Sequence, residues 1–132
     1  MISRVSIRTK SRVELQDITA RVQELVKASG TDHGLCHIFV PHTTAGITVN
    51  EHADPNVVDD VAAQLEALVP QHGDYRHTEG NADAHIKASL MGSSTTLFIE
   101  HGILVLGTWQ GIFFCEIDGP RNRTLLVRIV PD

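Results

Sequence analysis

No continuous apolar stretch in this chain is long enough for a signal peptide or a membrane span. The first residues, MISRVSIRTKSRVELQ, alternate polar and apolar side chains instead. A cytoplasmic protein without a membrane partner is expected. There is also no Lys/Arg cluster beyond the scattered basic N-terminus, and the formal charge is −5. That balance argues against a protein whose main business is the phosphate backbone of nucleic acid, while a local basic pocket for a small anion stays open. Cysteine is scarce: Cys36 and Cys115 each lie in an apolar, strand-like run with no paired spacing. Two buried free thiols in a reducing compartment are therefore expected, in preference to a disulfide or a zinc–thiolate site. With no low-complexity linker and no internal repeat, 132 residues make one domain, 1–132.

What the chain does contain is a legible order of elements. Val5 and Ile7, then Val13 and Leu15, alternate with polar neighbours and predict two short strands. Ile18, Val22, Leu25 and Val26 recur at helical spacing behind Asp17 as N-cap, and Gly30 closes the helix. GLCHIFVP and GITVN predict strands on either side of HTTAG. A second helix opens on Asp54 and Pro55 and carries Val57, Val61, Leu65 and Leu68 on one stripe, up to Pro70. After a loop over 71–81, ADAHIKASLMG suits a short third helix with Asn81 as cap and Ile86 and Leu90 on the stripe that would dock on the core. TTLFIE, ILVLG, WQGIFFCEI and TLLVRIV are antiparallel strands separated by Gly and Pro turns. Several of these runs are apolar on both faces, so their sheet should be covered on both sides, by a second sheet, helices or a neighbouring subunit. The fold class is α+β with a β-sandwich at its centre.

Eight histidines are the compositional feature that asks for an explanation. A metal needs imidazoles or carboxylates converging from separate segments. His42 follows Pro41 at a strand end, His77 and Glu79 lie two apart in the loop, and His85 begins the third helix. The competing reading is polar loop residues plus one core histidine bonded to a carbonyl. His33, His52, His72 and His101 flank turns and read as solvated, while His37 could face either side of its strand. Asp83 stands at helical spacing from Lys87, which offers it a surface ion pair. Thr43 and Thr44 beside Gly46 are either anion donors or an ordinary turn, and Glu51 at a strand end is a candidate general base. Arg121 and Arg123 sit beside Asp118, suited to a phosphate or to an interfacial carboxylate.

The strings HTTAGITVNEHADPNVVDD, YRHTEGNADAHIKASLMGSS and GILVLGTWQGIFFCEIDGPRNR resemble the YjbQ-like family, also described as secondary thiamine-phosphate synthases. The likeness runs from about His42 to the C-terminus. It implies a jelly-roll-like antiparallel β-sandwich with two main helices and one short one, assembled as a homotrimer. It also implies a divalent metal, zinc being favoured, on His42, His77 and His85. Glu51, Glu79 and Asp83 stand as candidate catalytic carboxylates, and Thr43, Thr44, Asn81, Trp109, Arg121 and Arg123 as candidate substrate contacts. The implied activity joins a pyrimidine diphosphate to a thiazole phosphate with release of diphosphate. The alternative is a non-catalytic metal- or ligand-binding homotrimer.

Overall fold

Alternating apolar positions at both ends of the chain pair into two antiparallel sheets. The computed structural model describes residues 1–132. In chain order the elements are β1 (Ile2–Arg8), β2 (Glu14–Asp17), α1 (Thr19–Ser29), β3 (Gly34–Phe39), β4 (Ala45–Glu51), α2 (Pro55–Leu68), α3 (Ala82–Met91), β5 (Ser94–Glu100), β6 (Ile103–Leu104), β7 (Gln110–Glu116) and β8 (Asn122–Pro131). The larger sheet has the order β1-β8-β3-β5-β6 and the smaller one β2-β7-β4. This is the expected α+β sandwich. No helix is long and apolar enough to cross a membrane.

The β7 strand carries the packing on both of its faces. Ile112 and Phe114 point between the sheets, where they join Ile7, Cys36, Ile38, Leu125 and Val127 of the larger sheet and Val22 and Val26 of α1. Phe113, Cys115 and the following Ile117 belong to a second cluster with Ala84 of α3, against which Leu15, Val58 and Met91 pack. Helices thus cover the outside of the smaller sheet, as its two-sided apolarity requires. Both cysteines are free and buried, and burial pushes the Cys36 thiol up to about 11 and the Cys115 thiol up to about 12.

Helix ends follow their caps with three departures from expectation. Asp17 lies one residue outside the α1 cap position, yet its carboxylate still accepts from the Thr19 N–H at 3.0 Å and the Thr19 hydroxyl at 2.6 Å. Asp54 caps α2 as expected, accepting from Asn56 N–H at 3.0 Å with Pro55 at the first turn. Asn81 makes no side-chain cap to α3 and donates instead to Asp118 at 2.8 Å. The α3 helix is also turned the other way: Ile86 and Leu90 are exposed, while Asp83, Ala84, Lys87 and Ala88 are buried. The reason is close approach. A Cβ on Gly46 of β4 would stand 2.7 Å from the Gly92 carbonyl oxygen and 3.0 Å from Met91 Cβ, so only the small-residue face of α3 fits there.

Candidate functional site

The stop at Pro41 releases His42 from β3, and the tight seat of α3 on β4 brings His85 to the same place. The two imidazoles line one open cavity of about 540 Å³, together with the hydroxyl-bearing Thr43, Ser89 and Ser93 and with Ala45, Ala88 and Gly92. Neither a lysine nor an arginine lines it, nor does any carboxylate. Ser89 donates its hydroxyl to the His85 carbonyl at 3.0 Å, one turn back along the helix.

His42 is tied to β8. The Thr124 N–H lies 2.9 Å from its Nε2, and the Thr124 carbonyl oxygen lies 3.1 Å from the same atom. One ring nitrogen cannot accept from the first and donate to the second at once. With the proton on Nε2, the bond runs to the carbonyl and Nδ1 keeps a free lone pair. Burial, and next the Arg123 charge, hold the His42 imidazole below its ordinary value, so the ring is biased toward the neutral form.

His77 stands on the other side of His85. Their rings meet edge to face with centroids 5.2 Å apart, and both line a second, adjoining cavity with Tyr75, Arg76, Ala82 and Ile86. His77 Nε2 lies 3.4 Å from Glu79 Oε2 on the exposed surface. His85 therefore forms the wall between the two cavities. The ligand atoms of His42, His77 and His85 do not all come within 4.8 Å of one another; the one group of three that does is Asp32, His33 and His101. His42 and His85 thus share one cavity, and His77 stands beside His85 in the next.

The remaining candidates fall outside this cavity, with the exception of Thr43. Asp83 is not in a surface pair: it is fully buried, accepts two hydrogen bonds from Arg12 at 2.9 and 3.0 Å, and accepts a third from Lys87 at 2.7 Å. Lys87 is buried as well and also binds Glu66. Burial alone would raise the Asp83 carboxyl, but the bonds from Lys87 and Arg12 outweigh it and leave the group below the usual carboxylate range. Arg123 is buried against Glu116, with Nε 2.9 Å from Oε1 and Nη2 2.5 Å from Oε2, and its Nη2 donates to the Thr44 hydroxyl at 2.9 Å. Arg121 is exposed and clamps Asp118, donating to its carbonyl at 2.8 Å and to its carboxylate at 3.1 Å. Glu51 lines a separate, largely apolar cavity beside α2. Trp109 is exposed in the turn before β7.

Sequence reasoning passed over one atom that bears on a ligand. Asn81 Oδ1 is buried with no hydrogen-bond partner. Turning the amide over would set that oxygen against the Asp118 carboxylate, so Oδ1 remains an unused acceptor beside the start of α3. Capping position alone disguised it, because asparagine at an N-cap already has an ordinary explanation.

A family model described as UPF0047 protein YjbQ-like matches residues 3–132. The chain belongs to the YjbQ-like UPF0047 family. The match extends the likeness, which in the sequence begins at about His42, back to residue 3. A UPF0047 protein of Methanocaldococcus jannaschii is 49% identical over 132 residues, covering 100% of this chain and 96% of the relative. A solved YjbQ/UPF0047 structure from Clostridium acetobutylicum is 52% identical, with a TM-score of 0.95 over 97% of this chain and 99% of that one. A YbjQ-like protein of unknown function from Sulfolobus solfataricus reaches the same TM-score at 35% identity, covering 100% and 97%. None of these three descriptions names an activity.

Proposed function

We propose that this YjbQ-like protein is a metal-binding homotrimer that acts as an enzyme on a phosphorylated small molecule, bound in the cavity between His42 and His85. The observation that carries the reading is the composition of that cavity: two imidazoles and three hydroxyl side chains with no charged residue, in a volume of about 540 Å³. That volume falls in the range of small-ligand sites. The hydroxyls of Thr43 and Ser93 can donate to phosphate oxygens, while that of Ser89 is engaged with the His85 carbonyl. The cavity also borders the C-terminal end of α3, whose carbonyl dipoles repel an anion. An anionic ligand there needs a cation, and neutral imidazoles from His42 and His85, with His77 next to them, are the donor set for zinc. The metal would supply Lewis-acid stabilisation of the phosphate. Of the three candidate carboxylates, Glu79 alone stands beside the histidines.

The homotrimer is supported by the uncovered face of the larger sheet. Cross-strand register places Val130, Leu35 and Phe98 in one row, and Leu126 beside Phe39 in another. Val130, Leu35, Phe98 and Phe39 are exposed in the single chain, in two apolar rows with the polar row of Arg128, His37 and Thr96 between them, and exposed apolar side chains on one sheet face are of the kind that marks a subunit contact.

The test is turnover by purified, metal-quantified protein against a panel of phosphorylated substrates that includes the pyrimidine diphosphate and thiazole phosphate pair. His85→Ala should lose metal and turnover and keep the assembly. A variant that keeps both overturns the reading. Metal that is retained without turnover, with assembly lost on chelation, favours the non-catalytic trimer, a reading the absence of any charged side chain from the cavity lining also suits.

A further inference from the structure

We infer a second cation site, separate from the His42/His85 cavity, formed by Asp32, His33 and His101, which would take zinc or a similar first-row divalent ion. Sequence reading sets His33 and His101 aside as solvated turn residues. The fold instead brings the loop before β3 against the β5–β6 turn, so that one ligand atom from each of the three side chains lies within 4.8 Å of the others. His33 Nε2 is 3.2 Å from Asp32 Oδ2. Two ligands on one tetrahedral zinc stand about 3.3 Å apart, given bonds of about 2.0 to 2.1 Å, so this pair already has the required spacing. The His101 ring stands edge-on to His33, with centroids 4.8 Å apart.

The backbone fixes both ligand-bearing segments. Gly102 N–H donates to the Asp32 carbonyl at 2.8 Å, and Asp132 N–H donates to the His33 carbonyl at 3.1 Å. Gln23 of α1 holds the turn from below, donating to the Gly102 carbonyl at 3.0 Å and accepting from Leu104 N–H at 3.0 Å. Glu100 pairs with Ile103, leaving His101 and Gly102 as a two-residue turn with φ of 52° and 75°. Such a turn favours Asn, Asp or Gly at its first position. His101 is the chain's only non-glycine residue with positive φ, and an imidazole adds nothing to the turn that asparagine would not supply. All three side chains are exposed, which leaves the remaining coordination positions to water.

The experiment is zinc titration of the full chain, with zinc alone as the probe, followed by histidine ring resonances and by calorimetric stoichiometry. His33 and His101 signals should shift together. His33→Ala, and His101→Asn, which suits the turn, should each remove one bound zinc per chain or weaken it by at least the 10- to 100-fold typical of losing an outer-shell group. Both variants should keep the wild-type melting temperature. Signals of His42 and His85 report the proposed functional site separately, so either site can fail alone. Unmoved His33 and His101 resonances at saturating zinc, or unchanged stoichiometry and affinity in His101→Asn, overturn the inference.

Discussion

Glu116 and Arg123 face each other inside the sandwich with two side-chain hydrogen bonds between them, at 2.9 and 2.5 Å, and neither has significant contact with solvent. The Thr9 hydroxyl donates to Glu116 at 2.7 Å, and the N–H groups of Ile117 and Asp118 reach its other oxygen at 3.1 and 3.2 Å. Every lone pair that burial would leave stranded is thereby met. Removing one partner strands the other: Arg123→Met or Glu116→Leu should each cost about 3 to 5 kcal/mol, and the double substitution less than their sum. Urea unfolding of the three variants measures this; a loss below about 1 kcal/mol in both singles would show that the pair is solvated after all.

Stability should fall with acid in two stages. His42 binds its proton less readily in the fold than in the unfolded chain, so stability is complete above the unfolded value, about 6.5, and declines as pH drops below it. Asp83 and Glu116 are held below their ordinary values by Lys87, Arg12 and Arg123 against the opposing effect of burial. Their contribution is present above about pH 4 and is lost as pH falls further toward the native values. Urea midpoints between about pH 7.5 and 3 should show a shallow limb and then a steep one. Asp83→Asn should flatten the steep limb alone.

Gly46→Ala tests the close contact of β4 with α3. The added methyl meets the Gly92 carbonyl oxygen at 2.7 Å, so the helix must move away. A loss of about 1 to 3 kcal/mol is expected, with changed chemical shifts for His85 ahead of those in the larger sheet. An unchanged denaturation midpoint and unshifted His85 resonances would contradict the packing.

Phe98→Glu addresses assembly. Phe98 stands out from the larger sheet with 68% of its surface exposed in the single chain, and its cross-strand neighbour Leu35 is half covered by comparison. If this sheet face is the subunit contact, light scattering should find trimer for the native chain and monomer for the variant, with an unchanged far-ultraviolet spectrum. A native monomer would remove the contact altogether.

Helices and strands were legible because their signals are local: Asp54 with Pro55, Gly30, and the period-two runs each announce an element without knowledge of its neighbours. Orientation was not. On α3 the apolar residues Ile86 and Leu90 suggested the docking face, but Gly46 admits only small side chains, and Asp83 and Lys87 go inward because Arg12 and Glu66, distant in sequence, satisfy them there. The same limit applies to the site. The meeting of His42 and His85 in one cavity follows from that contact, and so does the separation of His77 behind His85. Arg123 looked like an anion ligand because nothing nearby in sequence reveals the five hydrogen bonds that the Glu116 carboxylate accepts.

The two-sided packing of β7 bears on how this chain finds its register. Its even residues serve one core and its odd residues the other, with Glu116 on the side where Arg123 waits. A slip by a single residue would bring the carboxylate into the apolar cluster under α3 and present Cys115 to an unpaired guanidinium. Such a strand has no serviceable misalignment against β2 or β4, and its register is specified from both faces at once.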